Sequence, residues 1–161
     1  MRRAVVITAS NRASSGVYED RSGQILVEGL VALGYEVAPS IVLPDNIEMI
    51  RSAIEQAIDA QANLIVTTGG TGISPMDLTP EATAPVIDKY LPGILEAFRA
   101  YSREKVPTTD LSRGFAGVTK SSLIINLPGS PGAVKDGLVI IERLASHIHD
   151  QLEGHDHGTS N

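Results

Sequence analysis

Two isolated acids and a glycine-rich run are the residues of this chain whose types and spacing could do chemistry. The run, Gly69-Gly70-Thr71-Gly72, follows an apolar stretch that turns polar at residues 67–68. Glycine has no Cβ, so a ligand can approach the backbone closely, and amides and Thr hydroxyls there can donate to phosphate or carboxylate oxygens. The acids are Asp77, just after the glycines, and Asp45 in an earlier loop. The glycine run taken alone could also be a turn that merely connects a strand to a helix.

The two acids indicate what else such a site would need. Neither Asp45 nor Asp77 has a basic residue in its own loop. Carboxylates beside phosphate-binding amides repel a phosphorylated ligand unless a cation lies between them, and Mg²⁺ takes one or two carboxylates together with phosphate oxygens. The pattern therefore predicts a nucleotide or other phosphorylated ligand bound with Mg²⁺. The alternatives are a helix cap for Asp45 and a solvated loop residue or Asx-turn for Asp77.

Hydrophobic periodicity predicts the elements that position these loops. Strands are predicted at residues 4–8, 35–43, 63–68, 115–118 and 123–126. Helices are predicted at residues 20–33, 47–58, 94–103 and about 133–152, with another that opens at 79–81 with Thr79 as its cap. Two successive strand–helix–strand units imply parallel strands with right-handed crossovers. Loops 10–16, 44–45, 69–77 and 128–131 then share the carboxyl edge of one α/β sheet, where ligands bind.

Composition narrows the class of protein. The 161 residues are enough for one domain with a full core. Lys plus Arg number 13 against 19 for Asp plus Glu, and without a basic run this acidic balance argues against nucleic-acid binding. There is no Cys, and no stretch approaches the roughly 20 apolar residues of a membrane span. The absence of Cys does not by itself assign a compartment, but without a predicted membrane span we expect a cytoplasmic protein. P-loop, dinucleotide-binding and nucleophile-elbow motifs are absent from the sequence.

Three segments together resemble a known family. They are TTGGTG followed by MDLTPEAT (67–83), SNRASSGVYED (10–20) and LIINLPGSPGAVK (123–135). In this combination the chain resembles the Mog/MoaB family of molybdenum-cofactor biosynthesis, which includes the gephyrin and Cnx G domains, from Arg3 to about Leu152. The resemblance implies a three-layer α/β/α sandwich with a mostly parallel sheet, formed by a single domain at residues 1–152. It also implies a homotrimer. A polar, disordered tail is predicted at residues 153–161.

The resemblance also implies an activity and a set of site residues. Mog-type members are molybdopterin adenylyltransferases, which use MgATP to make adenylyl-molybdopterin and pyrophosphate. By position, the family's acids fall at Asp45 and Asp77, as catalytic residues that hold Mg²⁺ through phosphates. The residues implied in binding molybdopterin and ATP are Ser10, Thr68, Gly69, Gly70, Thr71, Gly72, Ser102, Pro128, Gly129 and Ser130.

Two departures from the family pattern keep other functions open. Asn46 stands where an acid is frequent, and Met76 stands where Mog and gephyrin relatives often carry Arg. They motivate the alternative of a MoaB-type trimeric protein that binds molybdopterin without adenylyl transfer. A third hypothesis is a nucleotide pyrophosphatase, because CinA-type domains share the glycine-rich region. Other molybdenum-cofactor enzymes are the partners that the resemblance implies.

Overall fold

The computed structural model describes residues 1–155, so the predicted tail positions 156–161 lie outside the described part of the chain. The strands are β1 (Arg3–Ala9), β2 (Glu36–Val37), β3 (Ile41–Leu43), β4 (Leu64–Thr68), β5 (Lys89–Tyr90), β6 (Ala116–Thr119) and β7 (Ser122–Leu127). The helices are α1 (Asn11–Ser14), α2 (Arg21–Ala32), α3 (Ile47–Asp59), α4 (Thr79–Thr83), α5 (Pro92–Ser102) and α6 (Pro131–Leu152). Within residues 1–155, no helix combines the length and apolar character needed to cross a membrane.

All strands form one sheet. Its order is β2-β1-β4-β7-β6-β5. Strand β3 also pairs with β1, at residues 7–9, whereas β2 pairs with β1 at residues 3–4. Strand β1 pairs in parallel with β2, β3 and β4, and β4 pairs in parallel with β7, whereas β6 is antiparallel to β7 and β5 is antiparallel to β6. Because β1, β4 and β7 are adjacent and parallel, the loops that follow them leave the sheet at the same edge.

The sheet is covered on both faces, and strand alternation decides which side chain enters which layer. Leu64 and Val66 of β4 pack with helices α2, α5 and α6, while Ile65 between them packs with α3 and α4. The same alternation runs along β7. Burial on both faces explains why β4 reads as a continuous apolar run. The predicted three-layer α/β/α sandwich with a mostly parallel sheet is confirmed.

Several predicted elements need correction. The strand predicted at residues 35–43 is two short strands, β2 and β3, separated by a stretch that contains Pro39, which lacks the N–H a sheet requires. Leu78, not Thr79, is the N-cap of α4. Helix α5 begins at Pro92, two residues before the predicted start. The strand β5 and the short helix α1 were not predicted.

Candidate functional site

The loops after the parallel strands meet at the carboxyl edge of the sheet. The Asn11 amide donates to Asp45 Oδ2 at 3.3 Å, and the Asp45 amide donates to Asn11 Oδ1 at 2.8 Å, which joins the loops after β1 and β3. The Gly69 amide donates to Leu127 O at 3.0 Å, which joins the loops after β4 and β7. All four loops predicted to share this edge therefore do so.

Backbone geometry accounts for the first two glycines of the run. Gly69 has φ +92° and Gly70 has φ +69°, in the left-handed region that favours glycine. A Cβ on Gly69 would lie 2.3 Å from Ala9 O, and one on Gly70 would lie 2.3 Å from Thr79 Oγ1. Both contacts are too short for any side chain, so the loop needs glycine at these positions.

The hydrogen bonds of this loop decide which amides a ligand could use. The sequence indicated that the Gly69 amide could bind a ligand, but this amide already donates to Leu127 O and is not available. Within residues 1–155, the amides of Gly70, Thr71 and Gly72 donate to no other group of the chain. The Gly70 carbonyl is itself held in place, because Gly70 O accepts from the Thr79 amide at 3.0 Å. Three consecutive backbone donors therefore remain for an anion.

The two predicted acids lie on either side of these amides. A Cβ on Gly70 would be 3.4 Å from Asp45 Oδ1, and a Cβ on Gly72 would be 2.7 Å from Asp77 Oδ2. Burial raises the pKa of the Asp45 carboxyl, the Asn11 amide lowers it, and the negative charge of Asp77 raises it further. The two carboxylates are therefore close enough to interact, although 32 positions separate them in the sequence.

Local contacts answer the alternatives for both acids. Asn46, not Asp45, caps helix α3, with the Met49 amide donating to Asn46 Oδ1 at 2.9 Å. The helix-cap interpretation of Asp45 is therefore wrong. Asp77 Oδ2 accepts from the Ser74 amide at 3.0 Å, and the Asp77 amide donates to Ser74 O at 3.0 Å. This tight turn fixes the Asp77 carboxylate and leaves its second oxygen without an acceptor role among the described residues.

The donor set fits a hard divalent cation. Asp45 and Asp77 supply carboxylate oxygens, and neither forms an ion pair with a basic side chain of residues 1–155. Burial is the main cause of the raised pKa of Asp45, and the nearby charge of Asp77 raises it further. Oxygen ligands of this kind, next to free amides for phosphate, are what Mg²⁺ prefers.

Two depressions adjoin at the glycine-rich loop and share Gly69 and Gly129. The first has a volume of about 570 Å³ and is lined by residues that include Thr8, Ser10, Tyr18, Asp20, Arg21 and Ser22. The second has a volume of about 430 Å³ and is lined by residues that include Gly70, Thr71, Gly72, Asp77, Thr109 and Ser130. Each is large enough for one part of a nucleotide or pterin ligand.

The predicted hydroxyl residues differ in what they can do. Ser10 and Ser130 line the depressions, and each caps a helix: Ser10 Oγ accepts from Ala13 N–H and Ser130 Oγ from Ala133 N–H. Thr68 Oγ1 donates to Pro128 O at 2.9 Å, which ties the loop after β7 to β4. These side chains therefore shape the loops as well as line the site.

Ser102 does not reach the surface of either depression. It is only 1% exposed, and its Oγ lies 3.2 Å from Thr109 Oγ1. Thr109 lines the second depression, so Ser102 contacts a residue of the lining and is not part of the lining itself. The sequence could not show this, because the two residues belong to separate segments that pack together only in the folded chain.

Sequence reasoning missed Asp20 as a site residue and assigned it only to the start of a helix. Asp20 does accept from the Gly23 amide at 3.0 Å, but it also accepts from Thr8 Oγ1 at 3.0 Å and from Ser40 Oγ. The neighbouring Ser22 Oγ donates to Gly129 O at 2.7 Å. The signal was the polar run 20–22 directly after a loop at the sheet edge.

Comparison with known proteins gives consistent matches. Residues 5–146 match the model of a family described as "Probable molybdopterin binding domain". The chain is 45% identical over 154 residues to a molybdopterin adenylyltransferase from Helicobacter pylori (strain J99), covering 92% of this chain and 86% of that protein. It is 40% identical to a molybdenum cofactor biosynthesis bifunctional protein from Synechococcus elongatus, covering 97% of this chain but spanning only 49% of that protein.

A solved structure also matches closely. The Mog protein of molybdopterin biosynthesis from Mycobacterium ulcerans superposes with a TM-score of 0.89 at 46% identity. The match covers 94% of this chain and 99% of that one.

Proposed function

Because the chain belongs to the Mog/MoaB family of molybdopterin-binding domains, as its sequence predicted, we propose that it is a molybdopterin adenylyltransferase. It transfers AMP from MgATP to molybdopterin and releases pyrophosphate. The observation that carries the proposal is the placement of two carboxylates, Asp45 and Asp77, on either side of three free backbone amides. The name of the Helicobacter relative supports the same activity.

The proposed reaction asks for little covalent chemistry from the protein. An oxygen of the molybdopterin phosphate forms a bond to the α-phosphorus of ATP, and the bond from that phosphorus to the bridging oxygen breaks. Pyrophosphate leaves with the electron pair of that bond. The amides of Gly70, Thr71 and Gly72 donate to phosphoryl oxygens as negative charge builds there. Positioning and electrostatics of this kind supply most of the acceleration in such sites.

Asp45 and Asp77 have a second role in the proposal, which is to hold Mg²⁺. Bound with the nucleotide, Mg²⁺ would neutralise negative charge on the phosphates. The Ser74 amide holds one oxygen of Asp77, and the Asn11 amide contacts Asp45. These contacts orient the carboxylates before any ligand arrives.

A molybdopterin-binding protein without transferase activity is the second candidate. It is favoured by Met76, which is half exposed beside Asp77 and supplies no positive charge to a pterin phosphate. The other departure, Asn46, carries less weight because its side chain is used as a helix cap. Calorimetric titration with MgATP separates the candidates, since a pure pterin binder gives no heat of nucleotide binding.

The proposal includes a homotrimer. An apolar groove of about 670 Å³ runs between α5 and α6, lined by residues that include Leu91, Ile94, Ala97, Leu144 and Ile148. Burying such a groove between subunits would stabilise an assembly. Light scattering coupled to size exclusion should give three times the chain mass of 17.0 kDa. A mass of one chain at assay concentration would contradict the trimer.

The test of the activity is the substitution Asp77→Asn, with Asp59→Asn as the matched control. Asp59 is an exposed acid remote from the sheet edge that holds the site, at the end of α3. We expect Asp77→Asn to stay folded and lose about 10²–10³ in kcat for AMP transfer, the typical cost of one lost electrostatic contact in an active site. Asp59→Asn should match the unaltered protein. Unchanged AMP transfer by Asp77→Asn would remove Asp77 from the mechanism, and no transfer by the unaltered protein would overturn the activity.

A further inference from the structure

We propose that Arg113 is a positioning residue of this site, which clamps both ends of the loop that carries Asp77. The inference rests on the proposed function, because it assigns Arg113 a role in that same reaction. Arg113 was not among the residues that the sequence indicated. It lies just before β6, and its side chain crosses to the loop after β4.

The clamp consists of hydrogen bonds to backbone carbonyls. Arg113 Nε donates to Gly72 O at 2.8 Å, and Arg113 Nη2 donates to Asp77 O at 2.8 Å. The first carbonyl belongs to the last residue of the glycine-rich run, and the second belongs to the catalytic candidate itself. The planar guanidinium therefore sets the distance between the free amides and the Asp77 carboxylate.

The backbone of Arg113 adds to the same contact. Its amide donates to Thr71 O at 2.8 Å, and Ser112 Oγ donates to Thr71 Oγ1 at 3.2 Å. Arg113 thus holds both the Thr71 carbonyl and the Gly72 carbonyl. Because a peptide unit is planar, fixing the Thr71 carbonyl also fixes the direction of the Gly72 N–H, which is one of the free amides.

A second arginine holds Arg113 in place. Arg99 Nη2, from helix α5, donates to Ser112 O at 2.7 Å and to Gly114 O at 3.0 Å. These carbonyls stand immediately before and after Arg113 in the chain. Arg99 therefore fixes the backbone on both sides of Arg113, and the Arg113 side chain fixes the loop that carries Asp77.

The charge of Arg113 is already balanced, so its role is geometric. Its guanidinium pairs with the Glu81 carboxylate of α4, and this hydrogen bond lowers the pKa of Glu81. The rival explanation is that Arg113 serves only this ion pair. Both side chains are more than one third exposed, and ion pairs at that exposure add little to stability. The ion pair does not account for the hydrogen bonds that Arg113 donates to Gly72 O and Asp77 O, and these bonds are the basis of the proposed clamp.

Arg113→Lys is the sharpest test of the clamp. Lysine keeps the positive charge and can still pair with Glu81, but a single ammonium cannot reproduce the planar fork that reaches both carbonyls. Glu81→Gln is the complementary variant, because it removes the ion pair and keeps the fork. Arg103→Lys is the matched control, since Arg103 forms an exposed pair with Asp110 and, within residues 1–155, its side chain forms no hydrogen bond or ion pair with the loop that carries Asp77.

Activity is measured as kcat and KM for AMP transfer. We expect Arg113→Lys to lower kcat by about 10- to 100-fold, because small displacements of catalytic groups cost this much, while KM for molybdopterin changes by less than about threefold. Glu81→Gln and Arg103→Lys should keep kcat within about threefold. An unchanged kcat in Arg113→Lys overturns the proposal. So does a loss in Glu81→Gln as large as that in Arg113→Lys.

Hydrogen–deuterium exchange gives a readout that does not depend on the reaction. Arg113→Lys should speed exchange of the Ser74 and Asp77 amides while the amides of β4 keep their protection. If the unaltered protein transfers no AMP, the proposed function fails, and this exchange still decides whether the clamp exists. Unchanged exchange in the loop overturns the clamp.

A second variant covers the case in which Arg113→Lys does not fold. Arg99→Met leaves the Arg113 side chain intact and removes the hydrogen bonds that hold its backbone. It should lower kcat and speed exchange of the Ser74 and Asp77 amides in the same direction, to a smaller degree. An Arg99→Met protein with unaltered kcat and loop exchange contradicts the proposal.

Discussion

Replacing Gly70 by alanine tests how the backbone forms the site. The new Cβ would lie 2.3 Å from Thr79 Oγ1 and 3.4 Å from Asp45 Oδ1. Thr79 is fully buried, so it cannot move aside into solvent. The residue would also have to adopt φ +69°, which a side chain disfavours.

The expected cost follows from these two effects. A residue with a Cβ in the left-handed region costs about 1–2 kcal/mol. Forcing Thr79 out of its rotamer to relieve the contact costs about 0.5–1.5 kcal/mol more. The free energy of unfolding should therefore fall by about 1.5–3.5 kcal/mol, which lowers Tm by roughly 3–14 °C for a chain of this length.

The assay is thermal and urea unfolding of Gly70→Ala, Thr79→Ala and the double variant. Thr79→Ala removes the atom that the new Cβ meets, so the double variant should regain about 0.5–1.5 kcal/mol and keep the backbone strain. Gly93→Ala is the control, because a Cβ there meets no atom within 4 Å, and it should not destabilise. A Gly70→Ala protein with the Tm of the unaltered chain would refute this explanation of the loop.

The remaining predictions concern charge. Burial and the charge of Asp77 raise the pKa of Asp45, so the ionised form of Asp45 is disfavoured in the folded chain. Without Mg²⁺, Asp45→Asn should therefore raise Tm by about 2–4 °C in differential scanning fluorimetry. An unchanged Tm would contradict this. Burial lowers the pKa of His149 below its ordinary value of 6.5, so as pH falls the unfolded chain binds a proton that the folded chain does not. The urea midpoint should therefore decline as pH is lowered from about 7 to about 5, and His149→Gln should reduce that decline; equal declines would exclude His149 as the cause.

The fold could be predicted because its signals are local. Leu64, Ile65 and Val66 point alternately to two apolar layers, so β4 is uninterrupted in the sequence and easy to recognise. Parallel strands bring the loops after them to one edge, and this places Asp45 beside Asp77 without any knowledge of side-chain contacts. The family resemblance then added the third layer and the activity.

The clamp could not be predicted, because it depends on backbone groups that every residue carries. Nothing in the type of Gly72 or Asp77 indicates that its carbonyl accepts from Arg113. The same applies to the Gly69 amide, which pairs with Leu127 O only because β4 and β7 are adjacent. Ser102 is hidden for a similar reason, since Thr109 covers it from a separate segment.

The most direct test of the account is a crystal structure of the protein with Mg²⁺ and a non-hydrolysable ATP analogue. We expect the α-phosphate to accept hydrogen bonds from the amides of Gly70, Thr71 and Gly72, and the ion to contact both Asp45 and Asp77. An α-phosphate bound away from these amides, or an ion that touches neither carboxylate, would contradict the central claim.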